Sequence, residues 1–240
     1  GSKGIPHKNI INFCGKPLLS YSISSGLTSK YIDYIMVSTD DKKIAEVAQR
    51  FGAEVPFMRP SKFATDTSKT IEAVLHAIET LKKQGEEFDI LVLLQPTQPL
   101  RTGADIDNAI ERFFEMNCEP LASVSPVNDP PLLTRSIEKD KLLPLLKGSS
   151  TCRRQDMPQY YRINGCIYIN QIKMIDENTS FNDNYIPFIM SKEHSIDIDE
   201  YSDLVMAEYY LRVDHSGVRS CNVRELEITQ GETPLGKKRY

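Results

Sequence analysis

Short apolar runs alternate with amphipathic segments from residue 17 to about residue 125, and this alternation restricts the possible folds more than any other feature. Residues 89–95 (DILVLLQ) are apolar without alternation, which predicts a central parallel strand covered on both faces. In residues 68–83 the apolar side chains recur at helical spacing and predict an amphipathic helix. Such repeated strand and helix units predict an α/β protein with a mostly parallel sheet.

The segments around this central unit follow the same pattern. Short strands are predicted at residues 34–38 and 121–124, and a helix at residues 106–114 precedes the second of them. A final amphipathic helix is predicted at residues 200–212. Ligands of open α/β sheets bind beyond the carboxyl ends of the strands, so polar residues that directly follow a strand are the first candidates for a site.

The charge balance and the cysteine pattern exclude several classes of protein. With 33 acidic and 29 basic residues, the chain lacks the basic surface that non-specific nucleic-acid binding requires. Its longest apolar run, residues 90–94, is far shorter than the roughly 20 residues that cross a bilayer. Five scattered cysteines without a C-x-x-C pair favour a reducing compartment over a disulfide framework. We expect a cytoplasmic protein that binds neither nucleic acid nor membrane.

Residues 126–163 interrupt the regular alternation. They begin with the proline-rich run PVNDPPLLTR and continue with turn residues mixed with charges. An excursion of this length can form a lid, a binding wall or an oligomer contact, and it can also be disordered. Because 240 residues suit one large α/β domain, the prediction is a single domain, 1–240, with 126–163 as an insertion.

The loop QPTQPLRT, residues 95–102, directly follows the predicted core strand. Two prolines stiffen it, and the amide of Gln95 offers both donors and an acceptor. That combination suits the edge of a nucleobase. A plain rigid turn is the alternative.

Two aspartates, Asp197 and Asp199, alternate with isoleucines in the run SIDID, residues 195–199. Strand periodicity would place both carboxylates on one face and the isoleucines on the other. Two hard oxygen ligands on one face can hold Mg²⁺ and leave positions open for phosphate oxygens. The alternative is an acidic edge strand without a metal.

Two further segments carry positive charge. Arg153, Arg154 and Arg162 surround the run QDMPQYY, and they are either binders of carboxylate or phosphate or ordinary solvated loop charges. The opening run GSKGIPHKN, residues 1–9, fits neither the G-x-x-x-x-G-K-[ST] nor the G-x-G-x-x-G pattern. It remains compatible with backbone amides and lysines around a triphosphate, or with a cloning remnant before a basic terminus.

Six motifs, taken together, resemble one family, the cytidylyltransferases that activate acidic nine-carbon sugars, typified by the N-acylneuraminate cytidylyltransferases. They occur in that family's order and spacing across roughly residues 1–212. The resemblance implies a Rossmann-like, three-layer fold of the nucleotide-diphospho-sugar transferase type. It also implies a homodimer formed through the insertion, and Mg²⁺-dependent transfer of CMP from CTP to the sugar. The motifs are GSKGIPHKN, VSTDD, RPSKFATDTS, LLQPTQPLRT, RINGCIYIN and SIDIDEYSDL.

The same resemblance assigns roles to individual residues. Asp197 and Asp199 match the metal-binding aspartates, and Lys8 joins them as a catalytic residue. Positions that contact the nucleotide are matched by Ser2, Lys3, Lys8, Asn9, Arg59 and Thr70. Positions near the sugar are matched by Gln95, Arg154, Arg162, Asn164 and Tyr168, and the two arginines are expected to reach across the dimer.

The implied reaction is attack of the sugar's anomeric hydroxyl on the α-phosphorus of CTP, which expels pyrophosphate. Two other functions stay open: a metal-dependent glycosyltransferase, which would release no pyrophosphate, and a nucleotide-binding homologue without catalysis. In the family an apolar strand and an arginine precede the G-S-K-G run, and this sequence begins after both. We therefore expect the sequence to be incomplete at its start.

Overall fold

Five α-helices occur in the part of the chain that the computed structural model describes, namely residues 4–65, 67–127, 129, 131–146, 151, 153 and 157–213. The predicted helices at 68–83, 106–114 and 200–212 are all present, with ends shifted by a few residues. The helices are α1 (Leu18–Leu27), α2 (Lys42–Arg50), α3 (Thr70–Lys83), α4 (Gly103–Glu115) and α5 (Tyr201–Arg212).

Side-chain caps explain where two of these helices begin. The hydroxyl of Thr102 accepts a hydrogen bond from the backbone N–H of Asp105 at 3.1 Å, and the Asp105 carboxylate accepts one from the Thr102 N–H at 2.8 Å. This reciprocal pair fixes the start of α4. Asp41 caps α2 by accepting a hydrogen bond from the Lys43 N–H at 2.7 Å.

The described strands form one four-stranded sheet and two small hairpins. In the sheet, β7 (Tyr161–Gln171) lies between β3 (Ile90–Leu93) and β4 (Leu121–Pro126), and β8 (Ile186–Ile189) lies outside β4. β3 and β4 both run antiparallel to β7, whereas β8 runs parallel to β4. The strands are β1 (Asn12–Phe13), β2 (Lys16–Pro17), β3 (Ile90–Leu93), β4 (Leu121–Pro126), β5 (Arg135–Glu138), β6 (Lys141–Pro144), β7 (Tyr161–Gln171) and β8 (Ile186–Ile189).

The α/β class is confirmed, but two sequence expectations about the sheet are wrong. The sheet is mixed, because the long strand β7 inserts antiparallel between two strands that point the same way. β3 was expected to be central and is instead an edge strand of the described sheet. Residues 34–38, which were predicted to be a strand, form only one parallel bridge, between Met36 and Glu54, and no ladder with β3.

Helices cover both faces of the sheet and make a three-layer sandwich. On one face, Ile106, Ile110 and Phe113 of α4 pack against Ile167 and Ile169 of β7. On the other face, α3 packs against Tyr168 and Ala122. Successive residues of β7 therefore serve opposite layers, as the two-residue period of a strand requires. Full burial of each of the large apolar side chains contributes about 1.5–3 kcal/mol.

The SIDID run is not the strand that its alternation predicted. A 3-10 turn, Glu193–Ser195, leads into an irregular connection before α5. The run has one sheet-like bond, from the Ile198 N–H to the carbonyl of Thr97 at 2.9 Å, and no neighbouring strand continues that pairing. Ile198 is nonetheless fully buried and Asp199 is exposed, so apolar burial still fixes the orientation of the segment.

A short hairpin occupies the insertion between β4 and β7. Strands β5 and β6 pair with each other only, and their paired residues Ile137 and Leu142 are 74% and 68% exposed. The hairpin therefore contributes little to the core of its own chain. That 126–163 serves dimerisation and sugar binding stays a prediction.

Candidate active site

A single ion pair joins the two ends of the predicted site. Lys8 Nζ lies 2.8 Å from Asp199 Oδ1, although the two residues are 191 positions apart in the chain. The lysine side chain is 11% exposed and the aspartate 72% exposed. The lysine side chain is therefore largely buried, while the carboxylate of Asp199 faces solvent.

Close packing of backbone against backbone brings this lysine into place. A Cβ added at Gly4 would lie 2.4 Å from the carbonyl oxygen of Asp199. Only glycine permits that approach, since real Cβ atoms do not come so near a backbone oxygen. The loop residue Ile5 and the neighbouring Ile198 are fully buried in the same apolar cluster. The amino-terminal loop thus packs directly on the aspartate segment.

Asp197 is half-buried and carries an unsatisfied oxygen. Its Oδ1 atom is buried without a hydrogen-bond partner among the described residues. Burial raises the pKa of the Asp197 carboxyl, and the charge of Asp199 raises it further, while a hydrogen bond with Thr97 and the charge of Lys8 oppose the shift. A buried, unpartnered carboxylate oxygen beside a second carboxylate is a place where a cation would satisfy both.

The start of α5 fixes the backbone after these aspartates. The carboxylate of Asp203 accepts hydrogen bonds from the backbone N–H of Asp199 at 2.9 Å and of Glu200 at 2.8 Å. The helix therefore anchors the segment whose side chains face the lysine.

The loop of residues 95–101 connects the aspartates to the sheet. The carbonyl of Thr97 accepts the Ile198 N–H, and the carbonyl of Gln95 accepts the hydroxyl of Ser22 at 3.1 Å. Gln98 is fully buried and donates from its side chain to the carbonyl of Asn164 on β7. This loop therefore ties α1, β7 and the aspartate segment into one unit.

A buried polar network lies beneath this loop. Asn164 Oδ1 accepts hydrogen bonds from the hydroxyl of Ser123 at 2.5 Å and from the Cys166 N–H at 3.1 Å. Arg101 donates from Nη1 to the Cys166 carbonyl at 2.7 Å, and the thiol of Cys166 donates to Gln98. Burial lowers the pKa of Arg101 to about 10 and raises that of Cys166 to about 12. Both groups keep their protons at neutral pH.

A cavity of about 220 Å³ opens beside the loop on the α3 face of the sheet. It brings together three predicted residues: Thr70 at the start of α3, Gln95 after β3, and Tyr168 on β7. A Cβ at Gly165 would lie 2.9 Å from Gln95 Oε1, so that glycine leaves room for the glutamine. A second and larger hollow of about 550 Å³ on the outer side of α3 contains none of the predicted residues.

The remaining predicted residues are less closely connected. Asn9 follows Lys8 in a 3-10 turn, and Arg162 is exposed on β7 opposite Ser125. Arg59 Nη2 lies 3.7 Å from Asp40, and no hydrogen bond or ion pair links it to the other predicted residues in the described parts of the chain. Asn164 lies in the buried network and not on the cavity wall. Ser2, Lys3 and Arg154 lie outside the described residues.

Sequence reasoning missed several residues that shape the site. Gln98 was part of a quoted motif, but its burial depends on β7, which is distant in sequence. Asn182 and Phe181 line the cavity from the loop before β8, where no periodic pattern marks them. The close approach at Gly4 is also invisible in the sequence, because it involves a residue 195 positions further along the chain.

Among the described residues, no three His, Cys, Asp or Glu side chains are grouped to hold a metal ion. Mg²⁺ is commonly bound by one or two carboxylates, with substrate phosphates completing its shell, so the assignment of the ion to Asp197 and Asp199 stays a prediction. No helix in the described ranges has the length and hydrophobicity that crossing a membrane requires.

The three-layer α/β/α fold is of the Rossmann-like nucleotidyltransferase type, and in it the lysine loop contacts the aspartate segment. CMP:2-keto-3-deoxy-manno-octonic acid synthetase complexed with CTP has the same fold, with a TM-score of 0.64 over 88% of this chain and 94% of the other. A 4-diphosphocytidyl-2C-methyl-D-erythritol synthase matches with a TM-score of 0.59 over 85% and 95%. At 16% and 14% identity these two likenesses concern the fold alone.

The chain belongs to the cytidylyltransferase family, whose sequence model matches residues 1–214. It is 36% identical to CMP-N,N'-diacetyllegionaminic acid synthase of Legionella pneumophila, over 91% of this chain and 95% of the relative. It is 32% identical to pseudaminic acid cytidylyltransferase of Campylobacter jejuni, over 90% and 94%. N-acylneuraminate cytidylyltransferase of Escherichia coli is 29% identical, over 86% of this chain and 49% of the relative. The predicted family is thereby confirmed.

Proposed function

We propose that this cytidylyltransferase transfers CMP from CTP to the anomeric hydroxyl of an acidic nine-carbon sugar and releases pyrophosphate. The observation that carries the proposal is the Lys8–Asp199 ion pair, which joins the predicted triphosphate loop to the predicted acidic pair. The relatives named for legionaminic and pseudaminic acids support a sugar of this class.

The chemistry needs positioning and neutralisation of charge more than covalent catalysis. The sugar hydroxyl gives its proton to solvent water and its oxygen bonds to the α-phosphorus, while the bond from that phosphorus to the oxygen of the leaving pyrophosphate breaks. Lys8 is proposed to bind the negative charge of the triphosphate. Asn9, in the same turn, is proposed to contact the nucleotide, together with Ser2, Lys3, Arg59 and Thr70.

Mg²⁺ is the proposed cofactor, held by Asp197 and Asp199. The unpartnered Oδ1 of Asp197 supports this assignment, because a carboxylate oxygen in that environment requires a cation or a donor. When bound, the ion would polarise phosphate oxygens and withdraw charge from the reacting phosphorus. Lys8 then has two functions. In the free protein it neutralises the charge of Asp199, and when a metal ion binds Asp199 the lysine can bind a phosphate of CTP instead.

The sugar is proposed to bind at the cavity beside the 95–101 loop. Gln95 and Tyr168 line it together with Thr70, the first residue of α3. Arg162 and Arg154 are proposed to bind the sugar carboxylate from the second subunit of a homodimer. The exposed apolar hairpin of β5 and β6 supports that dimer, since monomeric proteins rarely expose a cluster of this kind.

Pyrophosphate release tests the reaction directly. The protein is incubated with CTP, Mg²⁺ and each of N-acetylneuraminic, legionaminic and pseudaminic acids, with the eight-carbon acid Kdo as a control. Release with a nine-carbon acid and much less with Kdo is the expected result. Release with none of the four would leave the non-catalytic nucleotide-binding homologue as the better description. Consumption of a nucleotide sugar without pyrophosphate would favour the glycosyltransferase.

The cellular compartment belongs with these proposals. Cys118 and Cys166 carry free thiols, which suits a reducing environment such as the cytoplasm.

A further inference from the structure

One wall of the 220 Å³ cavity is formed by residues to which no role has been assigned. The loop before β8 contributes Phe181 and Asn182, and they face Tyr168 of β7. Leu93 and Ile71 complete the apolar part of the lining. The lining therefore combines these apolar side chains with polar ones, and Asn182 is the polar residue next to Phe181 in the chain.

A hydrogen bond fixes the orientation of the Asn182 amide. The hydroxyl of Tyr168 donates to Asn182 Oδ1 at 2.6 Å. Tyr168 is 4% exposed, and burial raises the pKa of its hydroxyl, so it stays a donor at neutral pH. Because Tyr168 donates to the amide oxygen and so fixes the orientation of the amide, the Asn182 Nδ2 group is the part of the side chain that can donate to a ligand.

The Nδ2 group has two N–H donors and no partner among the described residues. Asn182 is itself exposed, so water satisfies these donors in the free protein. A ligand that enters the cavity must replace that water with an acceptor oxygen, or the donors lose their hydrogen bonds. The adjacent side chains of Ile71, Leu93 and Phe181 favour a small apolar group beside that oxygen.

An amide carbonyl that carries a methyl group combines these two properties. We propose that Asn182 donates a hydrogen bond to the acyl carbonyl of an acylamino substituent on the acidic sugar, and that Tyr168 is the positioning residue that orients the donor. The inference rests on the proposed function and deepens it, because it makes Asn182 a determinant of which acidic sugar is used. A sugar with a hydroxyl at the same position would leave the apolar wall unfilled.

Three acids test this assignment with saturating CTP. They are N,N'-diacetyllegionaminic acid, N-acetylneuraminic acid, and the analogue of the latter that carries a hydroxyl in place of its acetamido group. The number of acylamino groups falls from two to one to none along this series. Asn182→Ala should lower kcat/KM at least about 10-fold for each acid that carries the acylamino group bound by Asn182, and less than about 3-fold for each acid that lacks it. The diacetylated acid should respond and the hydroxyl analogue should not. The KM for CTP should not change.

Three further variants separate recognition from structure. Asn182→Asp keeps the acceptor for Tyr168 and removes the donor, so it should lose at least as much activity as Asn182→Ala. Tyr168→Phe should raise the KM for the acylated sugar in the wild-type background and have no further effect when Asn182 is already alanine. Asn178→Ala, an exposed asparagine outside the cavity in the same loop, is the matched control and should behave as wild type.

The outcomes distinguish this inference from the proposed function. If the wild type releases no pyrophosphate with any of the three acids, the proposed function fails and the inference fails with it. If the wild type is active and Asn182→Ala loses activity equally with all three acids, or not at all, the inference alone is wrong. Thermal unfolding of each variant shows whether a uniform loss comes from a destabilised loop.

Discussion

At the scale of single residues, the two aspartates differ in a way that their spacing does not reveal. Asp199 is exposed and paired with Lys8, whereas Asp197 is half-buried with an unsatisfied oxygen. We expect Asp199→Asn to lower kcat at least about 100-fold, because it weakens the proposed metal site where charge develops. Its free energy of unfolding should fall by no more than about 1 kcal/mol, because the exposed carboxylate loses a single, partly screened ion pair. Near-normal pyrophosphate release from a folded Asp199→Asn would contradict the metal assignment.

Asp197→Asn should behave differently in stability. A raised pKa means that the charged form of Asp197 is less favourable in the folded than in the unfolded chain. A neutral amide removes that cost and the repulsion from Asp199, so the variant should be at least as stable as the wild type while it loses activity. Charged catalytic groups commonly lower the stability of the folded protein in this way. Chemical denaturation at neutral pH compares the two proteins.

Gly4 carries a prediction that concerns backbone spacing. A methyl group at this position would lie 2.4 Å from the Asp199 carbonyl, so Gly4→Ala must push the amino-terminal loop away from the aspartate segment. We expect the KM for CTP to rise at least about 10-fold, because Lys8 moves with the loop. The KM for the sugar should change little. An unaltered KM for CTP would show that the loop does not position Lys8.

At the scale of elements, β7 organises the cavity through one glycine. Gly165 has φ of +77°, and a Cβ added there would meet Gln95 and Gln98, whereas Gly85 has φ of +88° and a Cβ added there would enter open space. Both positions carry the same backbone strain when substituted, typically about 1–2 kcal/mol. Gly165→Ala should therefore lower kcat/KM for the sugar at least about 10-fold, and Gly85→Ala should not. Equal kinetics in the two variants would show that the contact with Gln95 has no role.

How much of this could be predicted depends on whether a signal is local. Helices α3, α4 and α5 follow from apolar periodicity and caps, and their bounds agree with the prediction to within a few residues. The position of β7 between β3 and β4 is set by pairing between distant segments, which no local pattern encodes. The spacing of Asp197 and Asp199 makes them candidate metal ligands, although the strand that this spacing predicts is absent from the described residues. No sequence pattern marks Asn182, because its proposed role depends on the hydrogen bond from Tyr168, which lies on a different element.

At the scale of the whole molecule, the β5–β6 hairpin is an apolar surface that the described part of one chain leaves uncovered. Ile137 and Leu142 are directly paired and both are largely exposed. Replacing both with aspartate should dissociate the proposed homodimer, because two buried charges in an apolar contact are costly. Sedimentation measures the change, and the exposed α3 pair Glu72→Asp and Glu79→Asp is a control that should leave the mass unchanged. A variant that sediments as the wild type does would exclude the hairpin from the interface.

Whether the partner subunit completes the site is decided by mixing two inactive variants. Arg162→Ala removes a proposed sugar contact, and Asp199→Asn removes a proposed metal ligand. If Arg162 serves the site of the other subunit, a mixed dimer has one site with both residues intact and one that lacks both. Random exchange makes half of the dimers mixed, so about a quarter of the wild-type activity should return. If Arg162 serves the site of its own subunit, each site of a mixed dimer keeps one defect and mixing restores no activity. That result would show that sugar binding does not require the dimer.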